Sequence, residues 1–77
     1  MDNLDDKLRL TFADALGLSP DQVVDSLAYA DSPAWDSVAH MALVAAIEEA
    51  FDIMIDAEDV IDLSSFAKAK QIVRKYL

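Results

Sequence analysis

The sequence contains no cysteine. Disulfides, thiolate metal sites and a cysteine nucleophile are therefore excluded. It contains one histidine, His40, which excludes a histidine-rich metal site and argues against a Ser–His–Asp triad. No apolar run approaches the roughly 20 residues needed to cross a bilayer. The first six residues, Met1-Asp2-Asn3-Leu4-Asp5-Asp6, lack the basic and apolar segments of a signal peptide, so a cytoplasmic location is expected. One glycine, two prolines and no repeat or low-complexity tract leave no candidate linker. The 77 residues read as a single domain, 1–77. A chain this short buries only roughly 60% of its unfolded surface and has little room for a walled active site, so no enzymatic activity is expected.

Basic residues are scarce. Six Lys and Arg face fifteen Asp and Glu, a net charge of −9 with His40 neutral. That balance argues against nucleic acid and against an anionic membrane surface as partners. An apolar content of 55% is too high for an acidic disordered tail. The basic residues also sit at the two ends: Lys7 and Arg9, then Lys68, Lys70, Arg74 and Lys75. Between Leu10 and Ala67 there is no Lys or Arg, but there are 12 acidic residues. The middle of the chain should carry a negative field suited to a basic partner.

The apolar spacing is helical. Leu4, Leu8, Phe12, Ala15 and Leu16 form one stripe, with Asn3 placed to cap it and Gly17 to end it. Ser19, Pro20 and Gln22 suit a capped single turn, with Leu18 and Val23 at staple spacing. A long loop then runs through Ser26 to Trp35, pinned to the core by Leu27, Tyr29 and Trp35. A second long helix should start at Asp36 or Ser37 and reach about Phe51. Asp56–Ile61 reads as a short third helix capped by Asp56. The last helix starts after Ser64 or Ser65 and places Phe66, Ala69, Ile72, Val73, Tyr76 and Leu77 on one side, with Lys68, Gln71, Arg74 and Lys75 on the other. The expected fold is all-α: a small four-helix bundle, three helices longer and one short, with a long loop between helices one and two.

The second helix has more apolar surface than one core face requires. At about 100° per residue, Leu43, Ile47, Ala50, Phe51 and Met54 share a narrow arc, with Val44 at its edge. Val38, Met41, Ala42 and Ala45 fall on nearly the opposite side, bordered by Glu48, Glu49 and Asp52. Alanine could serve helix propensity there, but Val38 and Met41 suit recognition of partners. Ser37 heads this face. A helix N-terminus tolerates a covalently attached phosphate, and Asp36 is placed to cap the backbone beside it.

These features make the sequence resemble the acyl carrier protein family over nearly its whole length. The resemblance rests on Asp36-Ser37-Val38 after a long loop and on the run Leu43-Val44-Ala45-Ala46-Ile47-Glu48-Glu49-Ala50-Phe51-Asp52-Ile53. A short acidic third helix, with Ser64-Ser65-Phe66 leading into the last, completes it. It implies that Ser37 receives a 4′-phosphopantetheine arm from coenzyme A. The catalyst would be a separate phosphopantetheinyl transferase with a divalent metal at its own site. The arm's thiol would carry acyl intermediates as thioesters to enzymes of fatty-acid, polyketide or related biosynthesis, which would explain the absence of cysteine. Asp36 would position Ser37 and approach the transferase's metal. Val38, Met41, Ala42, Ala45, Glu48 and Glu49 would dock acyl-loading, condensing or acyltransferase partners with basic surfaces, the carrier itself acting as a monomer.

Four positions depart from the family's pattern. Ala34 stands where Gly is frequent, Val38 replaces the commoner Leu, and Ala39 and Ala42 occupy positions often acidic. A less charged docking face suggests a dedicated partner set in polyketide or other specialised acyl metabolism. His40 could contact the phosphate or the arm, but its angle near the core arc favours packing under the long loop. Trp35 is expected to anchor that loop rather than meet cargo, and its buried indole N–H would need an acceptor. Ala45, Ala46 and Ala50 could leave room between helices for an acyl chain. An aminoacyl or peptidyl carrier using the same serine is the near alternative. An unmodified acidic helical adaptor is an alternative of another class. The Asp52–Asp62 acids lack a calcium-loop pattern.

Overall fold

A computed structural model describes residues 3–30 and 33–77. In chain order it contains α1 (Asn3–Leu16), a 3-10 turn (Pro20–Gln22), α2 (Ser37–Phe51), α3 (Ala57–Asp62) and α4 (Phe66–Tyr76). Among the described residues there is no strand, only an isolated antiparallel bridge between Ala28 and Ser65.

The helix ends follow from local chemistry. Gly17 takes φ +68° after α1, and the Leu18 N–H returns to the Ala13 carbonyl at 2.9 Å, closing the end with a bond that requires a left-handed residue. Asp52 does the same after α2 at φ 55°, with the Ile53 N–H donating to the Glu48 carbonyl at 3.1 Å. Aspartate is one of the few non-glycine residues that tolerates this conformation. Gln22 Oε1 accepts the Ser19 N–H at 2.9 Å, the reciprocal half of the expected cap. Ser65 Oγ accepts the Lys68 N–H at 3.0 Å and starts α4.

The core gathers Leu8, Phe12 and Leu16 from α1, Leu43 and Ile47 from α2, Leu63, and Phe66, Ala69, Ile72 and Val73 from α4. Phe12 lies at its centre, edge-on to Trp35 at 5.4 Å and to Phe66 at 5.1 Å, a favourable aromatic geometry. Trp35, fully buried, brings the long loop onto this core, and Leu27 packs beside it. Two backbone bonds fasten the loop to the entry of α4: Tyr29 N–H to the Ser64 carbonyl at 2.8 Å, and Phe66 N–H to the Leu27 carbonyl at 3.0 Å.

Several single-residue expectations change. Asn3 lies inside α1 rather than capping it. Ala13, outside the expected stripe, is buried. Met54, placed in the core by continuing the helical angle, is 82% exposed, because the left-handed Asp52 ends the helix before it. Leu77 is exposed as the residue that caps α4 after Tyr76. Asp56 precedes α3 as expected, but its side chain makes no capping bond; its N–H donates to Tyr76 Oη at 2.9 Å.

Candidate functional site

Ser37 is the first residue of α2 and is exposed. Asp36 precedes it in an extended conformation, which turns its carboxylate onto the helix end, where it accepts the Ala39 N–H at 2.8 Å. The Asp36 carbonyl accepts the His40 N–H, the first bond of the helix ladder, also at 2.8 Å. The Trp35 carbonyl accepts the Ala30 N–H at 3.0 Å, so the chain enters α2 from an anchored loop. Helix-end N–H groups and the helix dipole favour an anion here, and an exposed hydroxyl is the nucleophile available to acquire one.

Beyond Ser37 the outer face of α2 is apolar. Val38 is 78% and Met41 63% exposed, with Ala42 and Ala45 exposed beside them. The acids at its border differ. Glu49 is exposed, whereas Glu48 is half-buried and its Oε2 accepts the Ile55 N–H at 2.9 Å, bracing the chain between α2 and α3. Among the described residues no Lys or Arg pairs with either glutamate. Four of the six basic groups are paired elsewhere: Lys70 with Asp25 at 2.7 Å, Arg74 with Asp5 at 3.2 Å, Lys75 with Asp59 at 2.7 Å, and Arg9 with Asp6 at 3.4 Å. Lys7 lies over the Phe51 ring at 4.9 Å at the far end of α2, so the negative field there meets a cation but, among the described residues, no direct ion pair at Glu48 or Glu49.

His40 packs under the long loop, as its angle suggested, but with a more specific arrangement. Its Nδ1 accepts the Trp35 indole N–H at 3.0 Å and its Nε2 meets the Val60 carbonyl at 2.8 Å. A carbonyl can only accept, so Nε2 carries the proton and the ring is the neutral Nε2–H tautomer. Beside it, Tyr29, Val60, Ile61, Leu63 and Ser64 line an apolar cavity of about 210 Å³. The alanines expected to make room for a chain do not line it. Ala45 faces outward, and Ala46 and Ala50 border an open groove with Thr11, Asp14 and Glu49. A larger depression between α1 and the 3-10 turn includes Asp6, Arg9, Leu10 and Val24 but none of the site residues.

A cluster that sequence reasoning missed fastens α3 to α4. Asp59, 8% exposed, accepts from Lys75 Nζ at 2.7 Å and from the Tyr76 hydroxyl. Lys75 and Tyr76 hold the Asp59 carboxyl below its ordinary range, and the bond to Asp59 raises both the Lys75 ammonium and the Tyr76 phenol. The partners stand 16 and 17 residues from Asp59, so no local spacing announces them. The Trp35–His40 bond was closer to legible, since a buried indole needs an acceptor and His40 is five residues away.

One comparison bears on this arrangement. A family model described as the phosphopantetheine attachment site matches residues 6–72. Proteins of that family carry 4′-phosphopantetheine on a serine, act as carriers rather than catalysts, and meet phosphopantetheinyl transferases and biosynthetic enzymes. The match extends from α1 through most of α4 and takes in the whole of α2, so the chain belongs to this family of phosphopantetheine-dependent carrier proteins, of which acyl carriers are members.

Proposed function

We propose that Ser37 is the attachment serine and that the protein carries acyl thioesters. The observation that supports this most is an exposed serine heading α2, between a side-chain cap and an exposed apolar face. Two other serines at helix starts are used differently: Ser65 caps α4, and Ser19 Oγ donates to Gln22 Oε1. The surroundings of Ser37 fit the group. Its hydroxyl reaches solvent, the helix end accommodates a phosphodiester, the neighbouring Asp36 carboxylate is turned onto the Ala39 N–H, and Val38 and Met41 are apolar. When bound, the arm supplies the thiol on which cargo travels as a thioester.

The chain's own residues orient and present. Asp36 fixes the first turn and hence the direction of Ser37. Val38, Met41, Ala42 and Ala45 offer apolar contact to a partner, while Glu49 and the outward side of Glu48 steer basic surfaces toward it. Net acidity favours acyl over aminoacyl partners. The neutral positions Ala39 and Ala42 favour a dedicated partner set, as in polyketide or specialised acyl synthesis, over a housekeeping fatty-acid role. Comparison of turnover by a housekeeping ketosynthase checks that choice: rates equal to those of the main fatty-acid carrier would exclude it.

Attachment is tested by incubating the protein with coenzyme A, magnesium and a broad-specificity phosphopantetheinyl transferase, then measuring intact mass. The wild type should gain one arm and Ser37→Ala none. Failure with several transferases, or a gain that survives in Ser37→Ala, would remove Ser37 from the role.

A further inference from the structure

His40 lies one helical turn beyond Ser37, and its ring is engaged at both ends. It lies at 23° to the Trp35 ring with centroids 6.0 Å apart, and Tyr29 meets it edge-on at 5.3 Å. Each partner needs it. Trp35 is fully buried, so its indole N–H has no access to water. The Val60 carbonyl belongs to the last four of α3, which have no partner within the helix. One side chain therefore satisfies two stranded polar groups and joins three segments: the loop that delivers Asp36 and Ser37, α2 itself, and α3.

We propose that His40 is a positioning residue for modification of Ser37. It acts through Trp35, fixing the backbone that leads into Asp36-Ser37, and it ties that entry to α3. This rests on Ser37 as the attachment serine. Without the imidazole, the Trp35 N–H is left unpaired in the core, and the loop must shift to satisfy it. Asp36 then samples orientations in which it does not cap α2, and only a fraction of molecules presents Ser37 as the transferase requires. Apparent affinity falls by that fraction, while turnover of the bound complex is retained.

The test compares wild type, His40→Leu and His40→Gln in transferase kinetics. Leucine fills the site without bonding; glutamine keeps a donor and an acceptor. His40→Leu should raise KM for the carrier about three- to tenfold, the factor one neutral hydrogen bond is worth, with kcat within about twofold. His40→Gln should recover most of the loss. An unchanged KM in His40→Leu, a loss confined to kcat, or a glutamine variant no better than leucine would overturn the assignment. Wild type that takes no arm removes the Ser37 reading and this one together, whereas wild type and His40→Leu modified alike remove only this one. Nitrogen-15 spectra of the unmodified wild type decide independently, even if His40→Leu does not fold. A single neutral Nε2–H tautomer, with coupling from the Trp35 indole N–H across to Nδ1, is expected. Tautomer exchange without that coupling overturns the tie.

Discussion

Asp36 has one observed role and one proposed with Ser37, and substitution can separate them. Its carboxylate caps α2 through the Ala39 N–H; in the reading of Ser37 as the attachment serine it would also approach the transferase's metal. Asp36→Asn keeps a capping oxygen and should hold stability within a few tenths of a kcal/mol, whereas Asp36→Ala should cost about 1 kcal/mol in urea unfolding. The asparagine variant should nevertheless accept the arm much more slowly than wild type; equal rates would reduce Asp36 to a cap. Gly17 offers a cleaner backbone case. A Cβ there would meet nothing within 4 Å, so Gly17→Ala should lose only the left-handed penalty, about 1 kcal/mol, by the same measurement. Residues of this kind were legible because capping is local: Gly17, Asp36 and Ser65 act within a few positions of themselves. The His40 bonds were not, since they depend on where the loop and α3 come to rest.

At the scale of elements, α3 is the dependent one. Six residues form too short a helix to persist unaided. It is held by His40 on one side and by the Asp59–Lys75–Tyr76 cluster on the other. The cluster makes this attachment sensitive to pH. Asp59 is held low in the folded state, so its contribution is full above the unfolded carboxylate value and is lost as pH falls through the lowered one. Lys75 and Tyr76 are raised, so theirs is full below their unfolded values and is lost as pH rises through the raised ones. The tie is therefore strongest between those limits. Urea unfolding across acid pH should show a flatter decline in Asp59→Asn than in wild type; an identical slope would place the acid sensitivity elsewhere. The boundaries of α2 were readable in the sequence because Asp36 offers a cap and the run from Ser37 to Phe51 is rich in alanine and long straight side chains that favour a helix. What lies beyond an element was not, as Met54 shows: the helical angle has no meaning past the residue that breaks it.

For the whole molecule, charge is sorted rather than merely negative. Arg74 reaches Asp5 across 69 residues and Lys70 reaches Asp25, drawing the cations toward α1, α4 and the first part of the loop. Such exposed pairs add little stability, typically under about 1 kcal/mol each. Repulsion among the surplus acids is the larger effect, and salt screens it over a Debye length of about 10 Å at 0.1 M. Raising salt from low to physiological levels should therefore raise the thermal midpoint, while slowing association with a basic partner enzyme in stopped-flow measurements. A midpoint that falls with salt would mean that the ion pairs dominate after all. This division of charge was visible in the order of residues, because no Lys or Arg occurs from Leu10 to Ala67. The pairings were not, since they join segments far apart in the chain.

Trp35 is the chain's only indole, fully buried and two residues before Ser37. Optically, that makes it an internal dye placed at the site. A dry indole ringed by Phe12, Tyr29 and His40 emits at shorter wavelengths than one in water, with no second tryptophan to blur the signal. Any event that loosens the entry to α2 will shift that emission toward the red, so the unlabelled protein can be followed by its own light.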